Sequence, residues 1–477
     1  MPSFVSIDPV TRLEGHLRVD VTLDTVNSKL QVVDAHATGT LFRGFEQMLA
    51  NRDPWDAPHL TQRVCGVCPT PHGMAAVLAL DKAANKTPPT NGRILRNFVL
   101  GANFVQSHIL HFYHLAALDY MAGPAMPPWT PGWEVDRRVP PATTNTLIEH
   151  YKTALTMTRQ AQEMGAVFGG RLPHSPAYIP GGFTNVPTAA QIQQARAYCN
   201  TLVTFVRDVY IPDVELLFSV YADYAGVGVG YGNLIAFGVF DLDAAGKTKL
   251  LRAGRTLNGS KTVQALNVAA ITEHVANSWY DNTTNKLNPA SGVTKPVYPK
   301  DANAYSWLKS PRYDNQPCEA GPLARMWING DYTRGISVMD RHKARAREAL
   351  KVANAMLGWL NEIKVGQPVC TTYTTPQTAS GIGLTEAPRG ALGHWVRIAG
   401  GKIANYQIIT PTCWNASPRD TANQPGPIEK ALIGTPILDA KKPIEVVRII
   451  HSYDPCMSCA VHVVRPNRKE AVTVVSV

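Results

Sequence analysis

Alternating apolar and polar positions predict β-strands at the start of the chain. The alternation runs from Leu17 to Leu23 and again from Leu30 to His36, and the polar stretch Asp24–Lys29 separates the two runs. A period of two residues is typical of a half-buried strand, and a short polar spacer favours a hairpin turn. We therefore expect a β-rich N-terminal segment over residues 1–50.

A longer period later in the chain predicts helices. Between Asn91 and Tyr120 the large apolar residues recur near one helical face. Further long helices are predicted at Thr143–Phe168, Ala189–Ala225 and Ile336–Ile363, and Pro212 is able to kink or divide the second of these. Residues Gly226–Pro311 are rich in Gly, Asn, Thr and short apolar runs, which predicts a β-containing excursion. The expected fold is α+β and predominantly helical: a long-helix bundle core with small peripheral β-sheets in a single intertwined domain.

Composition narrows the class of protein. The chain has 477 residues, 45% hydrophobic and 17% charged, which is typical of a globular protein with a substantial core. No run reaches about 18 apolar residues, so no transmembrane helix is expected. The N-terminus also lacks the basic and then apolar pattern of a signal peptide. The net charge of +10 is scattered. Its densest cluster, Arg341–Lys351, predicts a basic helix face, and nucleic-acid binding is not expected.

Two CxxC pairs carry the chemistry. Cys65 and Cys68 form one pair, Cys456 and Cys459 the other, and together they supply four thiolates able to bind a metal. A structural zinc site usually collects its ligands within a short stretch, whereas these pairs lie at opposite ends of the chain. We therefore expect a buried functional site between the N-terminal and C-terminal segments, although four thiolates alone also permit a Zn(Cys)4 site or an iron–sulfur cluster. The remaining cysteines, which lack paired spacing, are expected to be free, buried thiols: Cys199, Cys318, Cys370 and Cys413.

Several long motifs occur in a fixed order and narrow these possibilities. They are "DPVTRLEGHLRV" (Asp8–Val19), "TLFRGFE" ending at Glu46, "PRYDNQPCEAGPLAR" ending at Arg325, "EAPRGALGHW" (Glu386–Trp395), "TPTCWNASPRD" ending at Asp420 and "DPCMSCAVH" (Asp454–His462). In this order they resemble the large, catalytic subunit of a nickel-iron hydrogenase. The resemblance implies reversible heterolytic cleavage of H2 into protons and electrons.

The resemblance also implies roles for the residues around a nickel–iron centre. Cys65 and Cys456 would be terminal nickel ligands, while Cys68 and Cys459 would bridge nickel to an iron that carries CO and two CN ligands. His72 would donate a hydrogen bond to a bridging sulfur. The diatomic ligands would be surrounded by Ala387, Pro388, Arg389, Pro411 and Thr412. Of these, Arg389 and Thr412 would donate to the cyanides, and the prolines would supply apolar contact.

Further roles concern protons and a third metal. Cys456 and Arg389 are the two candidate bases for the proton from H2, and Glu14 is the expected first proton carrier away from Cys456. Asp119 and Asp454 are expected to pair with Arg389. The resemblance also implies a Mg2+ site whose ligands are Glu46, the backbone carbonyl of Ile408, and His462.

The resemblance further implies partners. The chain has too few spare cysteines for a relay of Fe-S clusters, so electrons require an iron–sulfur small subunit. The segment Gly169–Gly182 is a candidate part of that interface. Metal-insertion chaperones and a maturation endopeptidase are expected, the latter cutting after His462 and removing the propeptide 463–477. The enzyme is expected to be membrane-associated through its partners on the periplasmic side, with a cytoplasmic location left open.

Two other functions remain as alternatives. One is a hydrogen-sensing regulatory subunit, against which the continuation of the chain past His462 argues. The other is a metal-free homologue that resembles the quinone-site subunit of respiratory complex I. The four paired cysteines argue against that homologue.

Overall fold

The structure is a computed structural model that describes residues 2–130 and 132–457. The fold is α+β with several small sheets, as the sequence predicts. The strands of the described residues are β1 (Ser3–Ile7), β2 (Leu17–Val26), β3 (Lys29–Gly39), β4 (Tyr178–Ile179), β5 (Gly182–Phe183), β6 (Leu234–Ala236), β7 (Val239–Asp241), β8 (Lys249–Leu251), β9 (Gly254–Thr256), β10 (Ile271–His274), β11 (Ser310–Tyr313), β12 (Glu319–Ala320), β13 (Thr378–Ala387), β14 (Gly390–Ala399) and β15 (Lys402–Ile409).

Helices of three kinds connect these strands. The α-helices are α1 (Phe45–Met48), α2 (Ala57–Thr61), α3 (Pro69–Ala83), α4 (Thr90–Leu110), α5 (Pro141–Gly169), α6 (Ala189–Phe205), α7 (Ile211–Val220), α8 (Pro322–Asn329), α9 (Val338–Glu362), α10 (Pro411–Asn415), α11 (Pro427–Leu432) and α12 (Ile444–Tyr453). Short 3-10 helices span Pro54–Asp56, Gln62–Val64, Ala117–Asp119, Ala222–Gly226, Val268–Ala270 and Asn282–Thr284. Two π-helical segments span His111–Ala116 and Val206–Tyr210.

The four predicted long helices are present, and two of them are interrupted. The one predicted over Asn91–Tyr120 is α-helical only to Leu110 and continues as π-helical and 3-10 segments. Helix α4 packs against α5 and α9, and α6 packs against the same two helices. The helix predicted over Ala189–Ala225 ends as α6 at Phe205, passes through the π-helical segment, and continues as α7 from Ile211. Pro212 lies in the first turn of α7, where its missing N–H costs no intrahelical hydrogen bond. None of the described helices is long and apolar enough to cross a membrane.

The predicted basic face on α9 is wrong in part. The segment is helical, but Arg341 and Arg345 are buried. The guanidinium of Arg341 donates two hydrogen bonds of 2.8 Å to the Glu319 carboxylate and one to the Tyr453 hydroxyl, and Arg345 donates to the Ser452 carbonyl. Burial of Arg341 is tolerated because Glu319, which is distant in sequence, compensates its charge. Arg345 donates to backbone carbonyls, and its Nε has no hydrogen-bond partner among the described residues.

Two small sheets frame the region where the chain ends meet. Strands β1, β2 and β3 form one antiparallel sheet, and β2–β3 is the predicted hairpin, with Asn27 and Ser28 in left-handed conformations at its turn. Strands β13, β14 and β15 form another, which packs on α3. The β13–β14 turn requires a glycine at Gly390, because its φ is +140° and an added Cβ would lie 2.7 Å from the Ala320 side chain.

Candidate metal centre

Three cysteine thiols from the two ends of the chain meet in the interior. The Sγ atoms of Cys65, Cys68 and Cys456 all lie within 4.8 Å of one another. The Cys65–Cys456 and Cys65–Cys68 sulfur distances are 3.3 and 2.8 Å. Their exposed fractions are 0%, 2% and 0%. The fourth expected ligand, Cys459, lies outside the described residues. The other four cysteines are free thiols, as predicted, and three of them are buried as predicted, whereas Cys370 is exposed.

Local structure explains how each thiol reaches this point. Cys65 follows a 3-10 helix, and Cys68 is the N-cap residue of α3, where the helix dipole favours a thiolate. Cys456 follows the end of α12, where Asp454 turns the chain in a left-handed conformation with φ 55°. The Cys456 N–H then donates to the Thr412 hydroxyl oxygen over 3.0 Å.

The N-terminal loop is fixed to the same strand-like segment. Glu14 forms an isolated β-bridge with Cys456, and the Met457 N–H donates to the Glu14 carbonyl over 2.6 Å. Glu14 is half-buried. The structure therefore places the predicted proton carrier beside the predicted terminal ligand through main-chain hydrogen bonds.

Arg389 projects from the β13–β14 turn and is buried near the thiols. Its Nε lies 3.0 Å from Asp454 Oδ1, and its Nη1 has no hydrogen-bond partner among the described residues. Burial alone lowers the pKa of Arg389, but the nearby Asp454 carboxylate and the thiols outweigh that effect and hold the pKa well above its usual value. Burial also raises the pKa of Asp454 to about 6, although Arg389 and Arg345 oppose the shift. The guanidinium is therefore a cation with an unused donor.

The predicted pairing of Asp119 with Arg389 is wrong. One oxygen of Asp119 accepts from Arg12, and the other lies 2.6 Å from Nδ1 of His451. Burial raises the pKa of Asp119, but the Arg12 guanidinium and the hydrogen-bonded His451 ring outweigh it and hold the pKa well below the usual value. The reason is positional, because the 3-10 turn at Asp119 faces α12 and the N-terminal loop. His451 also contacts the Thr11 carbonyl over 2.9 Å, so Asp119 supports the loop that carries Glu14.

His72 lies in the first turn of α3 and is buried. Its Nδ1 is 3.1 Å from Nε2 of His394, whose Nδ1 is 2.8 Å from the Tyr406 hydroxyl. Burial lowers the pKa of His72 to about 4. The other ring nitrogen of His72, Nε2, has no hydrogen-bond partner among the described residues. Sequence reasoning missed His394 and Tyr406, although His394 lies within the quoted "EAPRGALGHW" motif.

Arg325 fixes the backbone of the segment 387–389, which is expected to face the diatomic ligands. Its guanidinium donates to the carbonyls of Ala387 and Pro388 over 2.9 and 2.7 Å. Pro411 begins α10 and is buried beside Thr412. The sequence indicated Arg325 only as the last residue of a motif. The structure was needed to show that it binds the backbone carbonyls of Ala387 and Pro388.

Glu46 lies in a second, oxygen-rich cluster. Its Oε1 accepts from the Ile408 N–H over 2.9 Å, and its Oε2 accepts from the Thr294 hydroxyl. Lys309 Nζ lies 3.8 Å from Glu46 and 3.2 Å from Glu273. The sequence reasoning missed Thr294, Lys309 and Glu273. His462 lies outside the described residues. Carboxylate oxygens suit a hard cation such as Mg2+. The observed contact between Ile408 and Glu46 uses the Ile408 N–H, whereas the expected metal ligand is the Ile408 carbonyl.

The donor set fits a thiolate-bound metal group with anionic acceptors. Three buried thiols face a guanidinium with an unused donor and an imidazole with an unused nitrogen. Buried polar atoms are normally hydrogen-bonded, so unused ones beside a thiol cluster indicate a bound group. Fold and site together define a metalloenzyme with a buried thiolate centre.

Comparisons with known proteins agree. The family model described as nickel-dependent hydrogenase matches residues 43–126, 122–335 and 328–462, and a HoxL-like model matches residues 5–37. The periplasmic [NiFeSe] hydrogenase large subunit of Desulfomicrobium baculatum is 42% identical over 98% of this chain and 96% of the relative. The hydrogenase-2 large chain of Escherichia coli K12 is 31% identical over 99% of this chain and 100% of the relative.

Solved structures extend the similarity to the fold. The Ni-Fe-Se hydrogenase of D. vulgaris Hildenborough in its reduced state has a TM-score of 0.93 and 41% identity, and the match covers 97% of this chain and 100% of that one. The chain belongs to the nickel-dependent hydrogenase family, as a large, catalytic subunit with hydrogenase activity. The relatives do not favour the hydrogen-sensing alternative. Two of these relatives are named as nickel-iron-selenium hydrogenases. The present sequence contains cysteines and no selenocysteine.

Proposed function

We propose that the nickel–iron centre is held by the thiolates of Cys65, Cys68, Cys456 and Cys459, and that this chain cleaves H2 heterolytically there. The observation that carries the proposal is the meeting of three buried thiols from both ends of the chain within 4.8 Å. The bound metals would supply the Lewis acidity that accepts hydride and the route for electrons. Cys68 and Cys459 are the proposed bridging ligands.

The residues around the thiols suit small anionic and apolar ligands. Arg389 Nη1 is an unused donor, and the Thr412 hydroxyl accepts from Cys456, so its own proton is available to donate. These two groups are the proposed donors to the two cyanides. Ala387, Pro388 and Pro411 supply the apolar wall for CO.

The proton route begins at Cys456. Arg389 stays protonated because its pKa is held well above the usual value, so the thiolate is the better base. Glu14 would accept the proton next, since its main chain is hydrogen-bonded to the Cys456–Met457 segment. Asp454 would hold Arg389, and Asp119 would hold the Glu14 loop through Arg12 and His451.

Two further features belong to the proposal. Glu46, Ile408 and His462 form the proposed Mg2+ site, supported by the Glu46 carboxylate and the Thr294 hydroxyl beside it. The chain would fold as a single, predominantly helical domain, supported by the packing of α4, α5, α6 and α9.

The proposed partners are an iron–sulfur small subunit, metal-insertion chaperones and a maturation endopeptidase that removes residues 463–477. The supporting observation for the small subunit is that the relatives are named as large subunits. A periplasmic, partner-associated location is proposed because the Desulfomicrobium relative is described as periplasmic.

Metal content tests the site directly. We expect about one nickel and one iron per chain, and the separate variants Cys65→Ser and Cys456→Ser to lose nickel and hydrogen oxidation together, because each removes a terminal thiolate. Cys199→Ser is the matched control, since Cys199 is a buried free thiol in α6. Full hydrogen oxidation by nickel-free protein would contradict the proposal.

A further inference from the structure

The ring of His451 joins two segments that are far apart in the sequence. His451 lies on α12, before the turn that leads to Cys456, and only 2% of it is exposed. Its Nδ1 lies 2.6 Å from Oδ2 of Asp119, and its Nε2 lies 2.9 Å from the carbonyl oxygen of Thr11, in the loop between β1 and β2. Both ring nitrogens therefore contact acceptors from other parts of the chain.

The two acceptors fix the charge of this ring. A carbonyl oxygen has no hydrogen to donate, so Nε2 carries one. Burial raises the pKa of Asp119, but the Arg12 guanidinium on its other oxygen and the His451 ring hold that pKa well below the usual value, so the carboxylate is ionised. Nδ1 therefore carries a hydrogen as well, and a histidine with hydrogens on both nitrogens is an imidazolium cation. A neutral ring would keep only one of the two contacts.

The loop that His451 contacts has a strained backbone. Arg12 is in the left-handed region with φ 54°, where Cβ crowds the carbonyl oxygen that follows. A strained conformation persists only when surrounding contacts hold it. Two such contacts lie at this point of the loop, because Thr11 accepts from His451 and the Arg12 guanidinium donates to Asp119. The imidazolium is therefore one of the groups that keep the loop in its observed conformation.

We propose that His451, as an imidazolium, is a positioning residue for Glu14. Glu14 follows Thr11 in the same loop, and its carbonyl accepts from the Met457 N–H over 2.6 Å. Its carboxylate lies beside Gly66, within the first CxxC pair, since a Cβ added to Gly66 would be 3.4 Å from Glu14 Oε1. By holding Thr11, His451 keeps this carboxylate at the thiol cluster. The role rests on the proposed proton route through Glu14.

Loss of one ring proton should release the loop. The remaining N–H stays with Asp119, because a hydrogen bond to an ionised acceptor is stronger than one to a neutral carbonyl. The contact with Thr11 is then lost, so the attachment of the loop should weaken as the pH rises. Burial and Arg345 lower the pKa of both His111 and His342 well below the usual value, so neither of these rings changes charge above neutral pH. Nor do the arginines packed around His451 and Asp119, which are Arg12, Arg137, Arg345 and Arg448.

Backbone amide exchange in the assembled enzyme measures this attachment. The Met457 amide donates to the Glu14 carbonyl and reports the attachment, while the Val10 amide donates to the Leu17 carbonyl over 2.8 Å at the base of the loop and serves as the internal reference. Between about pH 6 and about pH 9 we expect the ratio of the Met457 rate to the Val10 rate to rise about tenfold, equivalent to about 1.4 kcal/mol, as the contact of His451 is lost. His451→Gln cannot titrate and should show no such rise. Parallel pH profiles in the parent and this variant would overturn the proposal.

Two neutral variants separate the two contacts of the ring. His451→Gln can place an amide N–H where Nε2 lies and should keep the parental ratio at about pH 6. His451→Asn is one methylene shorter, so it can donate to Asp119 without reaching Thr11, and its ratio should be about tenfold higher at every pH. Equal ratios in the two variants would overturn the proposal. His274→Asn is the matched control, since His274 is equally buried on β10, and it should leave the ratio unchanged.

Proton exchange with H2 connects the loop to the reaction. At normal nickel and iron content, His451→Asn should lower the exchange rate about tenfold, because a small displacement of a reacting group is costly. Added to Glu14→Gln, it should cause no further loss, since His451 acts through Glu14. A further loss in the double variant would overturn the positioning role. An undiminished rate in Glu14→Gln would instead contradict the proposed proton route, and the amide exchange ratios would still decide whether His451 holds the loop.

Discussion

Two fully buried arginines lie close to the same turn of the chain, and their surroundings differ. Arg325 donates to both oxygens of Glu348, to Glu386 and to the carbonyls of Ala387 and Pro388. Arg389 has Asp454 beside its Nε, while its Nη1 has no hydrogen-bond partner among the described residues. Their exposed fractions are 0% and 2%, so burial alone does not separate them.

The difference separates a structural role from a ligand-binding one. A buried guanidinium whose donors are all used forms a closed network that fixes the local structure. A buried guanidinium with an unused donor beside a thiol cluster is suited to a group that the chain itself does not supply. The hydrogen-bond network of Arg325 also fixes the position of Arg389, because Arg325 binds the two carbonyls that precede Arg389 in sequence.

The largest expected effect tests this contrast on stability. Arg325→Met should lower the free energy of unfolding by about 3–5 kcal/mol, because it leaves the Glu348 and Glu386 carboxylates buried without their cation. Arg389→Met should lower it less, since only Asp454 loses a partner and its pKa of about 6 lets it take up a proton. Urea unfolding of the two variants and the parent measures both changes.

The same pair should show the opposite order in activity per folded, metal-loaded enzyme. Arg389→Met should reduce hydrogen oxidation by about 10²-fold or more, the range found when a preorganised donor is removed. Equal stability losses in the two variants, or an unimpaired rate in Arg389→Met, would contradict the distinction between Arg325, whose donors are all used, and Arg389, which has an unused donor.

Glu14→Gln tests the proposed proton route from Cys456 to Glu14. We expect proton exchange with H2 to fall by about 10²-fold or more, because an amide cannot carry the proton, while nickel and iron content stay normal. Hydrogen–deuterium exchange by mass spectrometry and metal analysis check the two parts. Glu149→Gln is the control, since Glu149 is exposed on α5. Undiminished exchange in Glu14→Gln would exclude this residue from the route.

The smallest expected effect concerns His342, a buried residue of α9 whose two ring nitrogens both lack hydrogen-bond partners among the described residues. Burial and Arg345 lower its pKa well below 6.5. The unfolded chain therefore binds a proton that the native ring does not, so this contribution to stability is present above pH 6.5 and is lost as the pH falls below it.

His342→Phe should remove that pH dependence while keeping the stacking on His111. Between pH 7 and pH 5 the parent should lose about 2 kcal/mol more than the variant, since each pH unit below 6.5 costs about 1.4 kcal/mol. Urea midpoints at the two pH values measure the difference. Parallel losses in both proteins would show that the ring is protonated in the native state. A buried side chain outside the thiol cluster could then be charged and still have ring nitrogens without hydrogen-bond partners, as Arg389 is charged with an unused donor.

The periodicity of the sequence determined much of the fold. The hairpin β2–β3 and the long helices α5 and α9 lie close to their predicted ranges, because local hydrophobic spacing and turn residues decide such elements. Helix α4 ends at Leu110, ten residues before the end of its predicted range, and π-helical and 3-10 segments follow it. The paired spacing of the cysteines likewise predicted that thiols from the two ends of the chain would meet, and Cys65, Cys68 and Cys456 lie together in the interior. The spacing alone left a Zn(Cys)4 site or an iron–sulfur cluster possible, and the ordered motifs around the pairs narrowed the choice.

Only the tertiary structure decided how the charged groups are paired. Arg341 was expected on a basic face, and Asp119 was expected beside Arg389. In the structure Arg341 is buried against Glu319, and Asp119 binds Arg12 and His451. Hydrophobic periodicity is a local property of the sequence, whereas the partner of a buried charge or ring nitrogen is whichever group the fold brings within about 3 Å of it.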